Sequence, residues 1–192
     1  MATRGIYLIG FSGSGKSSIA QLLGTLLGWP VYDVDQTIVE QSGRSIAEIF
    51  QHEGEAGFRV RETEALRSLP TNSAFIVATG GGLPLRVENR QIMAQNGWVF
   101  ALEGRPETLY RRMERQLQHA DPAAIRPLLD AVDPLEQVRA LKHNRQSVYA
   151  LADWTVHTDR LSPQQVAAEI VRAVELLATT ADPPAAFDVP AH

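Results

Sequence analysis

The 192-residue chain contains no cysteine. Disulfides and thiolate metal sites are therefore excluded, and a reducing compartment such as the cytoplasm is allowed. Lysine is nearly absent too. Of the 18 basic side chains, only Lys16 and Lys142 are lysines; the rest are arginines. No apolar run approaches the roughly 18 residues that suggest a membrane-spanning helix. The stretch Met1 to Gly10 is too short and too soon interrupted for a signal peptide. No membrane partner is therefore expected. A formal net charge of -4 argues against nucleic acid as a partner as well. It leaves room for a small anionic substrate, because a few arginines can set the local potential. No internal repeat is found.

What is present fits one globular domain. Hydrophobic residues make up 44% and charged residues 21%, and the length allows a sizeable core. Ile6 to Ile9 reads as a buried strand, Gly10 to Gly15 as a loop, and Lys16 to Leu27 as a helix that Gly28 ends. Val31 to Asp33 is a second strand. Helical stretches follow through Ile38-Val39, Ile46 to Phe50 and Glu55 to Leu69. Ala74 to Ala78 is a third strand, running into Gly80-Gly81-Gly82. Pro84 to Gln95 reads as helical and Trp98 to Leu102 as a fourth strand. Pro106 opens another helix. Gln116 to Ala124 reads as a polar loop, within a lid over about residues 113–130. Leu135 to Leu151 is helical, Thr155 to His157 is a fifth strand, and Ser162 caps a last helix to Leu177. The domain spans residues 1–178. The Pro- and Ala-rich tail, 179–192, is expected to be disordered. Short apolar strands alternating with helices imply an α/β fold with a parallel sheet covered on both faces. Ligands of such sheets bind beyond the C-terminal strand ends.

Gly10-Phe11-Ser12-Gly13-Ser14-Gly15-Lys16-Ser17 matches G-x-x-x-x-G-K-[ST] at every fixed position, between a strand and a helix. The glycines let the backbone aim several N–H groups inward, forming an anion nest at a helix N-terminus. Ser12, Gly13, Ser14, Gly15, Lys16, Ser17 and Ser18 are the candidate contacts to a nucleoside triphosphate. Lys16 reaches the β- and γ-phosphates in such loops, and the Ser17 hydroxyl ligates Mg²⁺. The loop alone does not say which group accepts the phosphoryl. An empty Gly/Ser-rich turn is the bland alternative.

The second strand ends in Tyr32-Asp33-Val34-Asp35. Strand alternation places Asp33 and Asp35 on one side. No aspartate ends the third strand, so Asp33 replaces the usual Walker-B carboxylate near the metal, and Asp35 points at the acceptor hydroxyl. A helix N-cap before Thr37-Ile38 is the competing reading. Arg59 alone reads as the i,i+3 partner of Glu62.

These blocks together resemble the shikimate kinase family. The resemblance is carried by Tyr32-Asp33-Val34-Asp35, Gly43 to Phe50, Gly54-Glu55, Phe58-Arg59 with Glu62, the triplet Gly80-Gly81-Gly82, Arg126-Pro127-Leu128-Leu129, and Arg145 four residues before Tyr149. It spans Ile6 to Leu177. It implies a three-layer α/β/α P-loop kinase fold around a five-stranded parallel sheet. It also implies transfer of the ATP γ-phosphoryl to the 3-hydroxyl of shikimate with Mg²⁺, in a cytoplasmic enzyme read here as a monomer. By position, Asp35 holds the reacting hydroxyl, Arg59 and Arg145 bind the shikimate carboxylate, and Gly81 backbone contacts the ring. Arg126 is the lid arginine at the transferring phosphate, and Arg112 lies on the adenine. The chemistry is compatible: guanidinium forks suit a carboxylate, and glycine lets backbone approach a ligand. A sugar-acid kinase such as gluconate kinase, or a catalytically silent binding protein of the same family, are the alternatives.

Overall fold

The computed structural model describes residues 4–118 and 132–179. Its centre is a five-stranded, wholly parallel sheet in the order β2-β3-β1-β4-β5. The strands are β1 (Gly5–Ile9), β2 (Val31–Asp33), β3 (Ile76–Ala78), β4 (Gly97–Glu103) and β5 (Trp154–His157). The helices are α1 (Lys16–Leu27), α2 (Val34–Ser42), α3 (Ile46–Ser68), α4 (Val87–Asn96), α5 (Pro106–Gln118), α6 (Pro134–Tyr149) and α7 (Pro163–Thr179).

Successive side chains of β1 serve opposite faces. Ile6 and Leu8 pack with Ile19, Leu23, Val166 and Ile170 under α1 and α7. Tyr7 and Ile9 pack with Phe58, Met93, Met113 and Tyr149 from α3 to α6. Both faces of the central strand are buried, so it reads as an unbroken apolar run rather than an alternating one. With β3 on one side and β4 on the other, the loop after β1 emerges in the middle of the sheet's C-terminal edge.

Several elements differ from the sequence reading. Asp33 is the last residue of β2, and Asp35 lies in the first turn of α2. The two aspartates therefore do not share a strand face. Asp33 caps α2, its Oδ1 accepting from the Asp35 N–H at 3.1 Å, because a side-chain acceptor is needed at a helix's open N–H groups. The stretches expected to be separate helices before and after Gly54 form one run, α3, kinked where Gly54 takes φ 68° and ψ -175°. Its start is locked by a capping box between Ser45 and Glu48. The helix expected from Pro84 is split. Leu83–Leu85 is a 3₁₀ turn, Arg86 is extended, and α4 begins at Val87. The Arg86 guanidinium donates to Arg59 O and Thr63 Oγ1, tying that break to α3. Residues 116–118, read as loop, continue α5, and Met113, where the lid was expected to start, is buried in the core. Residues 119–131, with the rest of that lid, and 180–192 lie outside the described residues. Ser162 stands at the head of α7, its Oγ accepting from Gln165 N–H.

The β1–β4 pairing sets Gly5 opposite Gly97. A Cβ on Gly97 would sit 2.4 Å from Gly5 O and 2.9 Å from the Tyr7 ring. Neither strand can retreat, because each is hydrogen-bonded on both sides. Gly97→Ala is expected to cost about 1–3 kcal/mol through overpacking, measured as a lowered urea midpoint with unchanged slope. An unchanged midpoint would show that the strands can part.

Candidate active site

The loop after β1 can be made only with glycine at its turning points. Gly10, Gly13 and Gly15 have φ of 136°, 78° and 95°, where L side chains are strained. Space forbids a side chain too: a Cβ on Gly10 would lie 2.4 Å from Leu102 O, and one on Gly13 2.7 Å from Leu109 O. Gly15 then enters α1 with no side-chain cap. The first backbone donor turned back into the helix is Ile19 N–H, to Gly15 O at 2.9 Å. The N–H groups before it, at Lys16, Ser17 and Ser18, stand at the positive end of a 12-residue helix. Such an end takes phosphate oxygens. Lys16 lies along the loop, its Nζ donating to Gly10 O and Phe11 O, each at 2.9 Å. Burial lowers its pKa to about 8, while Asp35 and Asp33 pull it upward and Arg145 lowers it further.

Asp33 has two jobs. One carboxylate oxygen caps α2; the other accepts from Ser17 Oγ at 2.7 Å. One side chain thus caps α2 and stands beside the Ser17 hydroxyl. Asp35 faces inward instead. Its Oδ1 is buried and has no hydrogen-bond partner among the described residues. Burial raises its pKa, as does Asp33, against the lowering effect of Lys16 and Arg59.

Opposite this loop stands the glycine turn, closed by Leu83 N–H to Gly80 O at 3.2 Å. Its composition has a steric cause different from the one the sequence suggests. A Cβ on Gly80 would lie 2.6 Å from Glu62 Oε1 and 3.2 Å from Asp35 Oδ1. One on Gly82 would lie 2.5 Å from the Arg59 guanidinium. These two glycines make room for side chains of α2 and α3. Gly81 adjoins the phosphate loop and Arg145: a Cβ there would lie 3.4 Å from Gly10 O, 3.6 Å from Ser12 N and 3.5 Å from Arg145 Nη1.

Arg59 is held from two sides, by Glu62 at 2.7 Å and Glu55 at 2.9 Å. Glu62 is fully buried, while the Glu55 side chain is 70% exposed. An incoming carboxylate can displace the exposed partner and leave the buried one in place. Glu62 Oε1 is a second buried oxygen without a partner among the described residues. Burial raises the pKa of Glu62 to about 7, opposed by its hydrogen bond and charge pairing with Arg59. The guanidinium of Arg145, from α6, lies 5.5 Å from the centroid of the Phe11 ring. Asp35, Arg59, Gly81 and Arg145 therefore meet on one side of the phosphate loop.

On the loop's other side is a cavity of about 400 Å³ lined by Gly13, Gly15, Ser18, Arg112, Thr158 and Pro163 among others. Arg112 is fixed there by donating to Thr158 Oγ1 at 2.9 Å and Thr158 O at 2.7 Å. A guanidinium plane beside an apolar floor of Ile19 and Val166 suits a heteroaromatic ring. Arg126 lies outside the described residues. Three residues gained no role from the sequence reading. Glu62 was seen only as a neighbour of Arg59, and Tyr149 only as a marker of spacing. Thr158 was passed over, although a polar residue just after β5 sits on the sheet's ligand-binding edge.

A parallel sheet with an uncapped, glycine-turned phosphate loop after its central strand defines a P-loop nucleotide-binding fold. The family model described as shikimate kinase matches residues 12–175. A shikimate kinase of Symbiobacterium thermophilum is 42% identical over 171 residues, covering 88% of this chain and 95% of its own. One of Chromohalobacter salexigens is 40% identical over 178 residues, covering 92% and 95%. Among solved structures, the shikimate kinase from Acinetobacter baumannii in complex with shikimate superposes with a TM-score of 0.82 at 32% identity, over 94% of this chain and 96% of that one. The chain belongs to the shikimate kinase family.

The raised pKa of Glu62 has a thermodynamic consequence. A carboxyl whose folded pKa lies above its unfolded value favours folding fully below the unfolded pKa, and that contribution is lost as pH rises through the folded one. Relative to Glu62→Gln, the wild type should therefore lose stability between pH 4.5 and about 7. Urea midpoints of both proteins across that range test this. A difference independent of pH would mean that Glu62 titrates alike in the folded and unfolded chain.

Proposed function

We propose that this chain transfers the γ-phosphoryl group of ATP to the 3-hydroxyl of shikimate, giving shikimate 3-phosphate and ADP. One observation carries the reading: Asp35, Arg145 and Arg59 stand against the consecutive glycines Gly80, Gly81 and Gly82, and the middle one abuts the phosphate loop, which a Cβ on Gly81 would approach to 3.4 Å. A hydroxyl-orienting carboxylate and a carboxylate-binding pair of guanidiniums thus flank the place where a terminal phosphate would rest.

The residues then act as follows. Backbone N–H groups of Gly13 to Ser18 receive the phosphates, with Ser12 and Ser14 beside them, and the Lys16 ammonium turns from the loop carbonyls to the β- and γ-phosphates. Arg112 lies along the adenine. Arg59 and Arg145 bind the acceptor's carboxylate, and the Gly81 backbone abuts its ring. Asp35 accepts a hydrogen bond from the 3-hydroxyl and takes its proton as the new O–P bond forms and the bond to the ADP oxygen breaks. Its raised pKa makes it a stronger base than an exposed aspartate. Arg126 is assigned to the charge that develops on the transferring phosphoryl.

Mg²⁺ fits beside Ser17 and Asp33, a hydroxyl and a carboxylate 2.7 Å apart at the phosphate-binding helix end. No group of three or more acidic or histidine side chains among the described residues could hold a metal alone. That accords with a cation that takes its remaining ligands from phosphates and water. When bound, it would neutralise charge on the β- and γ-phosphates. No described helix is long and apolar enough to cross a membrane. We place the reaction in the cytoplasm, where ATP is regenerated, and keep the monomer of the sequence reading as the form in which the chain works.

A coupled ADP-release assay over shikimate, its carboxamide, gluconate and nucleoside monophosphates tests the proposal. Shikimate should be the acceptor that supports turnover, and the carboxamide should bind at least about tenfold more weakly, the loss expected for one charge-assisted contact. Turnover with gluconate but not shikimate, or equal affinity for acid and amide, would contradict it.

A further inference from the structure

The acceptor side of the site is assembled from distant parts of the chain, and one phenol joins them. Tyr149 is the last residue of α6, four positions after Arg145, so the two side chains lie on one helix face. Its ring is 1% exposed and packs in the core cluster that includes Phe11 and Leu83. Its hydroxyl donates to Gly81 O at 2.7 Å, a contact between residues 68 apart in sequence. Arg145 reaches the same place, Nη1 lying 3.5 Å from a Cβ position on Gly81. Burial raises the pKa of Tyr149 to about 12, with Arg145 opposing that rise by charge and hydrogen bonding. The phenol is therefore neutral at physiological pH and able to donate.

We propose that the Tyr149 hydroxyl is a positioning group for the acceptor site, anchoring α6 to the glycine turn so that the Arg145 guanidinium stands at a fixed place relative to Gly81. The inference rests on the reading that Arg145 binds the acceptor's carboxylate. The ring alone fills volume and fixes no register along the turn. The hydroxyl does, because its proton has a directional acceptor on the residue that also abuts the phosphate loop. An arginine on a long, flexible stem delivers bidentate recognition only when its helix is held in this way.

Tyr149→Phe keeps the ring and removes the donor. The KM for shikimate should rise about five- to tenfold, as for loss of one well-placed hydrogen bond. The KM for ATP should stay within about twofold, and the Tm within a few degrees, because ring packing is retained. In an Arg145→Lys background the same change should add less than about twofold, since the group it positions is gone. An unchanged KM for shikimate would overturn the inference. So would equal rises in both KM values with a lowered Tm, which would mean that the hydroxyl only supports the fold, or full additivity with Arg145→Lys. A wild type without shikimate-dependent turnover would overturn the functional reading, and this inference with it; normal wild-type turnover with an unaltered Phe variant would overturn this inference alone.

Discussion

The site depends on a stretch of backbone that turns through Gly10, Gly13 and Gly15 and enters α1 with no side-chain cap. A side-chain cap at that helix end would stabilise it by about 1 kcal/mol, and the chain forgoes this. The uncapped end is held open by packing instead. Leu102 O of β4 and Leu109 O of α5 stand close to where a Cβ on Gly10 or Gly13 would sit, and Phe11 is buried in the core. The positive end is thereby fixed without occupying its own donors, which is the condition for binding phosphate with little reorganisation.

Around that fixed end the charges are arranged in opposition. Asp33, Asp35 and Glu62 face Lys16, Arg59 and Arg145, and burial works against the charged forms of Lys16, Asp35 and Glu62. Pairing is incomplete: among the described residues, Asp35 Oδ1 and Glu62 Oε1 lack partners, and both lie close to where a Cβ on Gly80 would sit. Buried oxygens left so are costly to the fold. They cluster where a polyhydroxylated acceptor would supply the missing donors. The local conflict with stability coincides with the place assigned to chemistry, as expected where function rather than folding sets residue choice.

Features encoded by neighbours along the chain were legible in the sequence. The phosphate motif, the apolar strand runs and the glycine ends of α1 are local, and their readings match the architecture. The family resemblance added the sheet's size, and five strands are present. Features that arise from packing were not legible. Val34 looked like strand, so Asp35 was put on a strand face, whereas capping by Asp33 starts a helix there. The helical stretches read as Ile46 to Phe50 and Glu55 to Leu69 are one longer helix kinked at Gly54. The glycine triplet suggested room for a ligand, whereas Gly80 and Gly82 yield space to Glu62 and Arg59. The i,i+3 spacing made Glu62 a natural partner for Arg59, but nothing local said that Glu62 is fully buried. The contact of Tyr149 with Gly81 joins residues 68 apart and has no sequence signal at all.

The central claim is that nucleotide and acceptor meet across a shared wall, Gly81 against Gly10 and Ser12, so that the phosphoryl passes directly from one to the other. The most direct measurement is the stereochemical course with ATP made chiral by oxygen isotopes at the γ-phosphorus. A single in-line displacement inverts that centre, and inversion in the shikimate 3-phosphate formed is the expected result. Retention would require two displacements through a phosphorylated protein, and would contradict the account.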